Sequence, residues 1–302
     1  MATESRTAVI AAIAGNVAIA VSKFIAAALS GSAAMLSEAI HSLVDTGNGV
    51  LMLVGMRRSK KPPEPDHPFG YSHELYFWTL MVGVLIFGLG GGMSIVTGVM
   101  HIRAGKGLED VVWNYAVLGI AAVFEATSWW FGWRAFKTEM RGRGIIETIV
   151  DTKDPTTFSV LLEDSAALLG LVVAFLGIFI GSTFGVPWLD GAASILIGLL
   201  LCIVAAIMVN ESRALIVGEG VSKATLDGIR QIVLADPGVE AVQRLRTLYF
   251  GPEDVMLVIE MHMRDDTEVG EVRQATGRVK KAIRDKYPKI RRVYFDITEE
   301  AP

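Results

Sequence analysis

His41 and Asp45 lie four residues apart in LSEAIHSLVDTGNG, inside a long apolar stretch. On a helix this spacing stacks both side chains on one face. An ionisable side chain in a membrane-spanning helix is costly unless it meets a partner or a water-filled path. An imidazole nitrogen beside a carboxylate oxygen suits borderline divalent metals, zinc above all. The pair therefore indicates either a divalent-metal site or a buried His–Asp contact that only stabilises helix packing.

A second acidic group opens a later apolar stretch, TTFSVLLEDSAALLGL, where Glu163 and Asp164 are adjacent. The small residues that follow permit close approach of another helix, so a carboxylate here could meet His41 and Asp45. Neighbouring residues on a helix point about 100° apart, so we expect only one acid to face the site easily. We favour Asp164 as the ligand. Glu163 then supports the site, handles protons, or forms a solvated helix end.

Membrane-spanning helices must position these residues. The chain has 302 residues, 52% of them hydrophobic, and its apolar runs of about 20 residues match the thickness of a bilayer core. The first run exceeds a signal-peptide core and lacks a cleavage site, so we expect it to be retained. We predict a transmembrane domain over residues 1–210 with six spans: Val9–Leu29, Ala34–Met56, Leu75–His101, Val111–Trp133, Thr157–Ile180 and Leu189–Val209.

Basic residues between the predicted spans are asymmetric. Lysines and arginines concentrate at 57–61 and 134–153, after the second and fourth spans, whereas the first and fifth connections have none. In the third connection, Arg103 and Lys106 are offset by two acids. By the positive-inside rule both termini lie on the cytoplasmic side. We expect a multi-pass protein of the cell membrane, a bacterial inner membrane.

Residues 211–302 are predicted to form a separate cytoplasmic domain. KATLDGIRQIVLAD and Val269–Tyr287 read as helices, and VEAVQRLRTLYF, VMLVIEMHM and RRVYFDIT as strands, which gives the α+β order α-β-β-α-β. A core of about 80 residues is modest, so pairing with a second copy would stabilise it. Acidic residues are as numerous as basic ones from Ser212 onward, which argues against nucleic-acid binding. The single Cys202 excludes an internal disulfide or a thiolate metal cluster.

Three further polar residues lie in the predicted spans. Glu125 could pair with Lys23 or take part in proton movement, and we favour the ion pair. Asn16 is expected to form a hydrogen bond across helices. Asp190 lies in the first turn of the sixth span, where a carboxylate favours the helix dipole. We favour that capping role over metal entry.

The motifs GSAAMLSEAIHSLVDTGN and DHPFGYSHE, with LDGAASILIGLLL and the α-β-β-α-β tail, resemble the cation diffusion facilitator family of zinc transporters. The resemblance covers nearly the whole chain. It implies a six-helix dimer with a cytoplasmic ferredoxin-like domain that exchanges a divalent metal, usually zinc, for protons by alternating access. It also implies a transport site formed by HxxxD or DxxxD on the second helix and HxxxD on the fifth. In this chain that pattern assigns His41, Asp45 and Asp164.

The chain departs from that pattern at Val160, which occupies the histidine position four residues before Asp164. LLED in this place resembles a divergent branch that includes mitochondrial-type zinc exporters. Three evident ligands remain, and the fourth could be water, Glu163 or Asn48. Fewer nitrogen donors could admit manganese, cobalt, iron or cadmium. Zinc stays the favoured substrate because three protein ligands with an open position suit it.

The loop PDHPFGYSHEL carries Asp66, His67 and His73, where the resemblance implies room for a second metal. We favour a loop that caps the third helix. In the family the tail often carries a cluster of histidines, whereas here it offers His262 on one strand and Asp296 on another. We therefore expect the tail to mediate dimerisation and not metal sensing.

The resulting prediction is a homodimeric metal/proton antiporter that exports Zn²⁺ from the cytoplasm. A metal-binding histidine must be neutral, so protons compete with the metal. The alternatives are a transporter of Mn²⁺, Fe²⁺, Co²⁺ or Cd²⁺ with the same fold, a passive cation channel, a membrane metalloenzyme and a receptor that signals through its tail. An enzyme is disfavoured because the sequence lacks an HExxH or comparable motif.

Overall fold

The computed structural model describes residues 2–105, 107–140, 144, 155–264 and 267–298. Lys106 and the basic residues Arg141, Arg143 and Lys153, which enter the charge asymmetry above, lie outside this part of the chain. The chain forms two compact units. The first comprises the described residues of Met1–Arg57, Phe77–Arg141 and Pro155–Ser212, and the second those of Arg58–Tyr76, Gly142–Asp154 and Arg213–Pro302.

Long helices build the first unit. They are α1 (Ala2–Ser30), α2 (Ala33–Arg58), α3 (Glu74–Leu85), a π-helix (Ile86–Gly92), α4 (Met93–Ala104), α5 (Val111–Met140), α6 (Pro155–Phe184) and α7 (Trp188–Val217). The α3–π–α4 segment is one continuous helix, so each of the six predicted spans lies inside one long helix. Within the described residues, four helices are long and apolar enough to cross a membrane: Glu74–Ala104, Val111–Thr138, Ser159–Phe184 and Trp188–Val217. Gly15–Ser30 of α1 forms a shorter apolar helix.

Glycines bring the third and sixth predicted spans into backbone contact. The sequence analysis did not predict the π-helix, which contains the run GLGGG. A Cβ placed on Gly198 would lie 2.7 Å from the carbonyl oxygen of Gly91 and 2.9 Å from the amide nitrogen of Ile95. A Cβ on Gly191 would lie 2.7 Å from the carbonyl oxygen of Gly98. Small residues at these positions let the α3–π–α4 helix and α7 pack closely.

Gly198→Ala should therefore destabilise the first unit. Its methyl group would overlap the facing backbone, and overpacking of this kind costs about 1–3 kcal/mol. Thermal unfolding of the detergent-solubilised protein should show a lower midpoint. Gly119→Ala on α5 is the matched control, because no atom lies within 4 Å of a Cβ at Gly119. Equal midpoints for the two variants would contradict the close packing.

The second unit confirms the predicted α-β-β-α-β order. It contains α8 (Lys223–Leu234), β1 (Val239–Gly251), β2 (Asp254–Met263), α9 (Val269–Lys286) and β3 (Ile290–Ile297). The sheet order is β1-β2-β3, with β2 antiparallel to β1 and parallel to β3. The buried face of the sheet packs against both helices through Ile229, Val233, Leu257, Ile259, Ala275, Val279 and Ile283.

A bidentate ion pair joins the two helices of this unit. Arg278 on α9 donates from Nε and Nη2 to the two carboxylate oxygens of Asp236, both at 2.8 Å. Asp236 follows the C-terminus of α8. The guanidinium holds the pKa of Asp236 below its usual value, so the carboxylate stays ionised at neutral pH.

The α2–α3 loop is fastened to the sheet of the second unit. The Phe69 ring stacks on Phe250, with centroids 5.1 Å apart, and the guanidinium of Arg292 lies 4.8 Å from the Phe250 centroid. Arg292 also donates to the carbonyl oxygen of Phe69 at 3.0 Å and to Asp254 at 2.7 Å. Cation–π and charge-assisted hydrogen bonds together fix this loop on β1, β2 and β3.

Candidate functional site

A cavity of about 750 Å³ lies among α1, α2, α5 and α6 of the first unit. Four carboxylic acids line it, and they come from three helices. Hydroxyl and amide groups supply further oxygen donors. The polar lining residues are Asn16, Asp45, Asn48, Glu125, Thr127, Ser128, Ser159, Glu163 and Asp164.

Glu163 and Asp164 both line this cavity, so the expectation that only one of them faces the site is wrong. The Glu163 carboxyl lies within hydrogen-bonding reach of Asp45 and Asn48 on α2. Asp164 instead accepts a hydrogen bond of 2.8 Å from the Ser128 hydroxyl on α5. The two side chains diverge by about 100° around the helix, and the cavity is wide enough to receive both. Glu163, which we expected in a supporting role, is therefore the acid that reaches the second-helix motif.

The contact between Asp45 and Glu163 has a chemical consequence. An ionised carboxylate offers only acceptors, so a hydrogen bond between two carboxyl groups requires a proton on one of them. Glu163 is 8% exposed, so little water is available to separate the two charges. A proton or a cation between these two groups would therefore stabilise their contact.

His41 lies one turn N-terminal to Asp45 and is 4% exposed. It is not among the residues that line the cavity. Its Nδ1 has no hydrogen-bond partner among the described residues. An unsatisfied buried imidazole nitrogen is costly, and a ligand that reached it would remove that cost. Its role as a ligand stays a prediction.

The predicted ion pair between Glu125 and Lys23 is wrong. Lys23 instead donates to Glu38 at 3.0 Å and to the Ser42 hydroxyl at 2.7 Å. Both charged side chains of this pair are fully buried. Sequence reasoning missed Glu38, although it precedes His41 and Asp45 by three and seven residues and so shares their helix face. Glu125 remains on the cavity wall.

Asp190 lies in the first turn of its own helix α7, as predicted, and its carboxylate also caps a second helix. Its carboxylate accepts a 2.6 Å hydrogen bond from the Ser32 hydroxyl and a further one from the amide of Ala33, at the N-terminus of α2. His101 Nε2 lies 3.6 Å from the same carboxylate. The dipole argument holds, because a buried carboxylate meets the positive end of a helix. That helix is α2, in addition to its own helix α7. Asn16, expected to bond across helices, lines the cavity.

The loop and tail candidates have separate surroundings. His67 stacks on Tyr71, with ring centroids 4.3 Å apart. His73 Nε2 lies 3.0 Å from the carbonyl oxygen of Tyr249, and His73 stacks on Phe250. In the tail, His262 Nδ1 lies 2.9 Å from the carbonyl oxygen of Thr298, whereas Asp296 lies opposite Glu260.

A metal site in a protein usually needs three or more His, Cys, Asp or Glu side chains close together. Among the described residues, no three His, Cys, Asp or Glu side chains are grouped so that they could hold a metal ion. The ligand sets predicted for the transport site, and for the loop with Asp66, His67 and His73, stay predictions.

Known proteins resemble the chain along most of its length. It is 32% identical over 231 residues to the proton-coupled zinc antiporter SLC30A9, mitochondrial, of Homo sapiens, which covers 76% of this chain and 41% of that protein. It is 28% identical over 251 residues to metal tolerance protein C4 of Arabidopsis thaliana, covering 82% of this chain and 55% of that protein. It is 20% identical over 275 residues to the manganese efflux system protein MneS of Bacillus subtilis (strain 168), and the match covers 91% of this chain and 89% of that protein. The chain thus spans about two fifths of the length of the SLC30A9 protein.

Two family models match in succession. One, described as the cation efflux transmembrane domain, matches residues 9–217. The other, described as the cytoplasmic domain of the cation efflux protein, matches residues 221–297. The chain is therefore a multi-pass membrane protein that belongs to the cation efflux family.

Proposed function

We propose that this chain is a divalent-metal/proton antiporter that exports Zn²⁺ from the cytoplasm, with both termini cytoplasmic, and that it acts as a homodimer in a cell membrane. The observation that carries the proposal is the contact between Asp45 on α2 and Glu163 on α6, inside a cavity with two further carboxylic acids. The similarity to a proton-coupled zinc antiporter supports it. Substrate, direction, membrane and assembly all belong to the proposal.

The metal ligands are Asp45 and Asp164, with His41 one turn from Asp45. To this set we add Glu163, with Asn48 as a neutral oxygen donor beside it. The ion enters the cavity hydrated, and carboxylate oxygens replace its water molecules. The unpartnered Nδ1 of His41 supplies a nitrogen donor when the helices close around the ion.

Proton coupling follows from the same carboxylate oxygens, because they can bind either a metal ion or a proton. A proton shared by Asp45 and Glu163 would occupy the position that a metal ion requires. Metal binding therefore releases protons, and protonation releases metal. An inward proton gradient can then drive the metal outward. Glu125, on the cavity wall but on a third helix, is placed to take up a released proton.

An oxygen-rich site also supports Mn²⁺ as a second substrate. The lining carries carboxylate, amide and hydroxyl oxygens but no imidazole, and such donors suit manganese as well as zinc. Similarity to a manganese efflux protein agrees with this possibility. His41 is then the donor that shifts preference toward Zn²⁺.

Asp45→Asn should abolish pH-gradient-driven Zn²⁺ uptake into proteoliposomes. The amide removes both a charged ligand and one of the two groups that share a proton, while side-chain size is kept. Uptake is read with a zinc-sensitive dye trapped inside the vesicles. The matched control is Asp227→Asn, at an exposed position of α8, which should transport like the wild type. Full activity of Asp45→Asn would refute the assignment of the site.

Glu125→Gln should retain Zn²⁺ binding while uptake becomes less dependent on the pH gradient. Glutamine keeps the shape and polarity of the side chain but cannot carry a proton. The measurement compares initial uptake rates over a series of imposed gradients, together with Zn²⁺ affinity from competition with an indicator. Glu109→Gln, at an exposed position before α5, is the control. An unchanged gradient dependence would exclude Glu125 as the proton carrier.

Val160→His should raise the affinity for Zn²⁺ relative to Mn²⁺. Val160 is 44% exposed and lines the cavity one turn from Asp164, so an imidazole there adds the missing nitrogen donor. Nitrogen ligands favour zinc over manganese. Competition of both metals against one indicator gives the ratio of affinities, and Val160→Leu controls for side-chain size. An unchanged ratio would show that this position does not reach the bound ion.

A further inference from the structure

A fully buried ion pair lies next to the cavity, just past the cavity-lining residues of α1 and α2. Lys23 on α1 donates to Glu38 and Ser42 on α2, and neither charged side chain is exposed. Glu38 also faces a third helix, because a Cβ added to Gly170 on α6 would collide with Glu38 Oε1. The ion pair therefore links α1 to α2, and Glu38 packs against α6 at the same level.

All cavity-lining residues of these three helices lie on the same side of that level. They are N-terminal to Lys23 on α1, C-terminal to Glu38 on α2 and N-terminal to Gly170 on α6. The deepest of them are Ile19, Asp45 and Asp164. At a rise of 1.5 Å per residue, the ion pair lies about 6 to 10 Å beyond these residues along the helices.

The pair is only partly satisfied in this arrangement. Glu38 Oε2 accepts from Lys23, but Oε1 has no hydrogen-bond partner among the described residues. A buried ion pair pays a large desolvation cost, which Coulomb attraction and additional hydrogen bonds offset only when the geometry is complete. Water would solvate both groups if the helices separated. The ion pair therefore keeps the helices together, but it contributes little net free energy in favour of the closed arrangement.

We propose that Lys23 and Glu38 form a gate that closes the cavity on the side away from the C-terminal end of α2, and that this gate opens when the site turns to the opposite face. This inference rests on the proposed transport function, since a protein without alternating access would need no such gate. The charges allow opening because each becomes hydrated when the contact breaks. An apolar contact of the same shape would stay closed.

Cysteine accessibility tests the gate. The reporter is Val160→Cys, on the cavity wall, in a Cys202→Ser background that removes the single native thiol. A charged, membrane-impermeant methanethiosulfonate reagent is added to proteoliposomes of known orientation, from either face. With the gate intact, we expect labelling from the face at the C-terminal end of α2 and at least about tenfold slower labelling from the other.

Two changes should move the gate in opposite directions. Gly170→Ala places a methyl group against Glu38 and should raise labelling from the opposite face to a rate similar to that of the first. Lys23→Met with Glu38→Leu replaces the ion pair by apolar groups of similar size, which commonly stabilises a buried contact. This double variant should keep one-sided labelling, and its metal turnover should fall by roughly tenfold or more. Replacing both charges together avoids an unpaired buried ion.

The outcomes separate a gate from a merely structural ion pair. Gly119→Ala, at an open position on α5, should label and transport as the parent does. One-sided labelling of Gly170→Ala, or wild-type turnover of the apolar double variant, would overturn the proposal even if melting temperatures changed. The labelling assay requires no transported ion. If the wild type fails to transport any metal but the labelling pattern shifts as described, the proposed substrate is wrong and the gate stands.

Discussion

The cost of burying charge among apolar helices governs the arrangement of the first unit. Lipid and packed side chains cannot solvate a carboxylate, so each buried acid must meet a cation, a donor or a proton. The first unit stabilises its buried acids in two ways. Glu38 and Asp190 are neutralised locally, by Lys23 and by the N-terminus of α2. The acids of the cavity have no such fixed partner in common, and they face one another across an open space.

Helix α2 carries acids of both kinds. Glu38, His41, Asp45 and Asn48 follow one another along a single face, so the same helix carries the ion pair and the cavity carboxylate. Asp190 caps the N-terminus of α2. The loop that follows α2 is held against the sheet of the second unit by the contact between Phe69 and Arg292. A polar face of this kind also explains why α2 does not count among the four most apolar helices. Movement of α2 would therefore change the gate and the site together.

Sequence periodicity predicted the long helices and the order of elements in the tail, because hydrophobic length and alternation are local properties. Partners between helices were harder to predict. Lys23 was assigned to Glu125 because both lie in spans, but a single sequence does not reveal the rotation and depth of one helix against another. The same lack of register led us to favour Asp164 over Glu163 as the ligand. The π-helix was missed because a run of glycines predicts flexibility and not a hydrogen-bond pattern.

The charge balance of the cavity supports the proposed exchange of metal ions for protons. Asp45, Glu125, Glu163 and Asp164 line one cavity, and like charges at close range repel strongly where the dielectric is low. The buried ammonium of Lys23 forms its ion pair with Glu38 and not with one of these four acids. Positive charge from solution, either a divalent ion or protons, would reduce the repulsion among them. In the proposed mechanism, the divalent ion and the protons compete for these four acids, so the cavity exchanges one for the other as its access alternates between the two faces of the membrane.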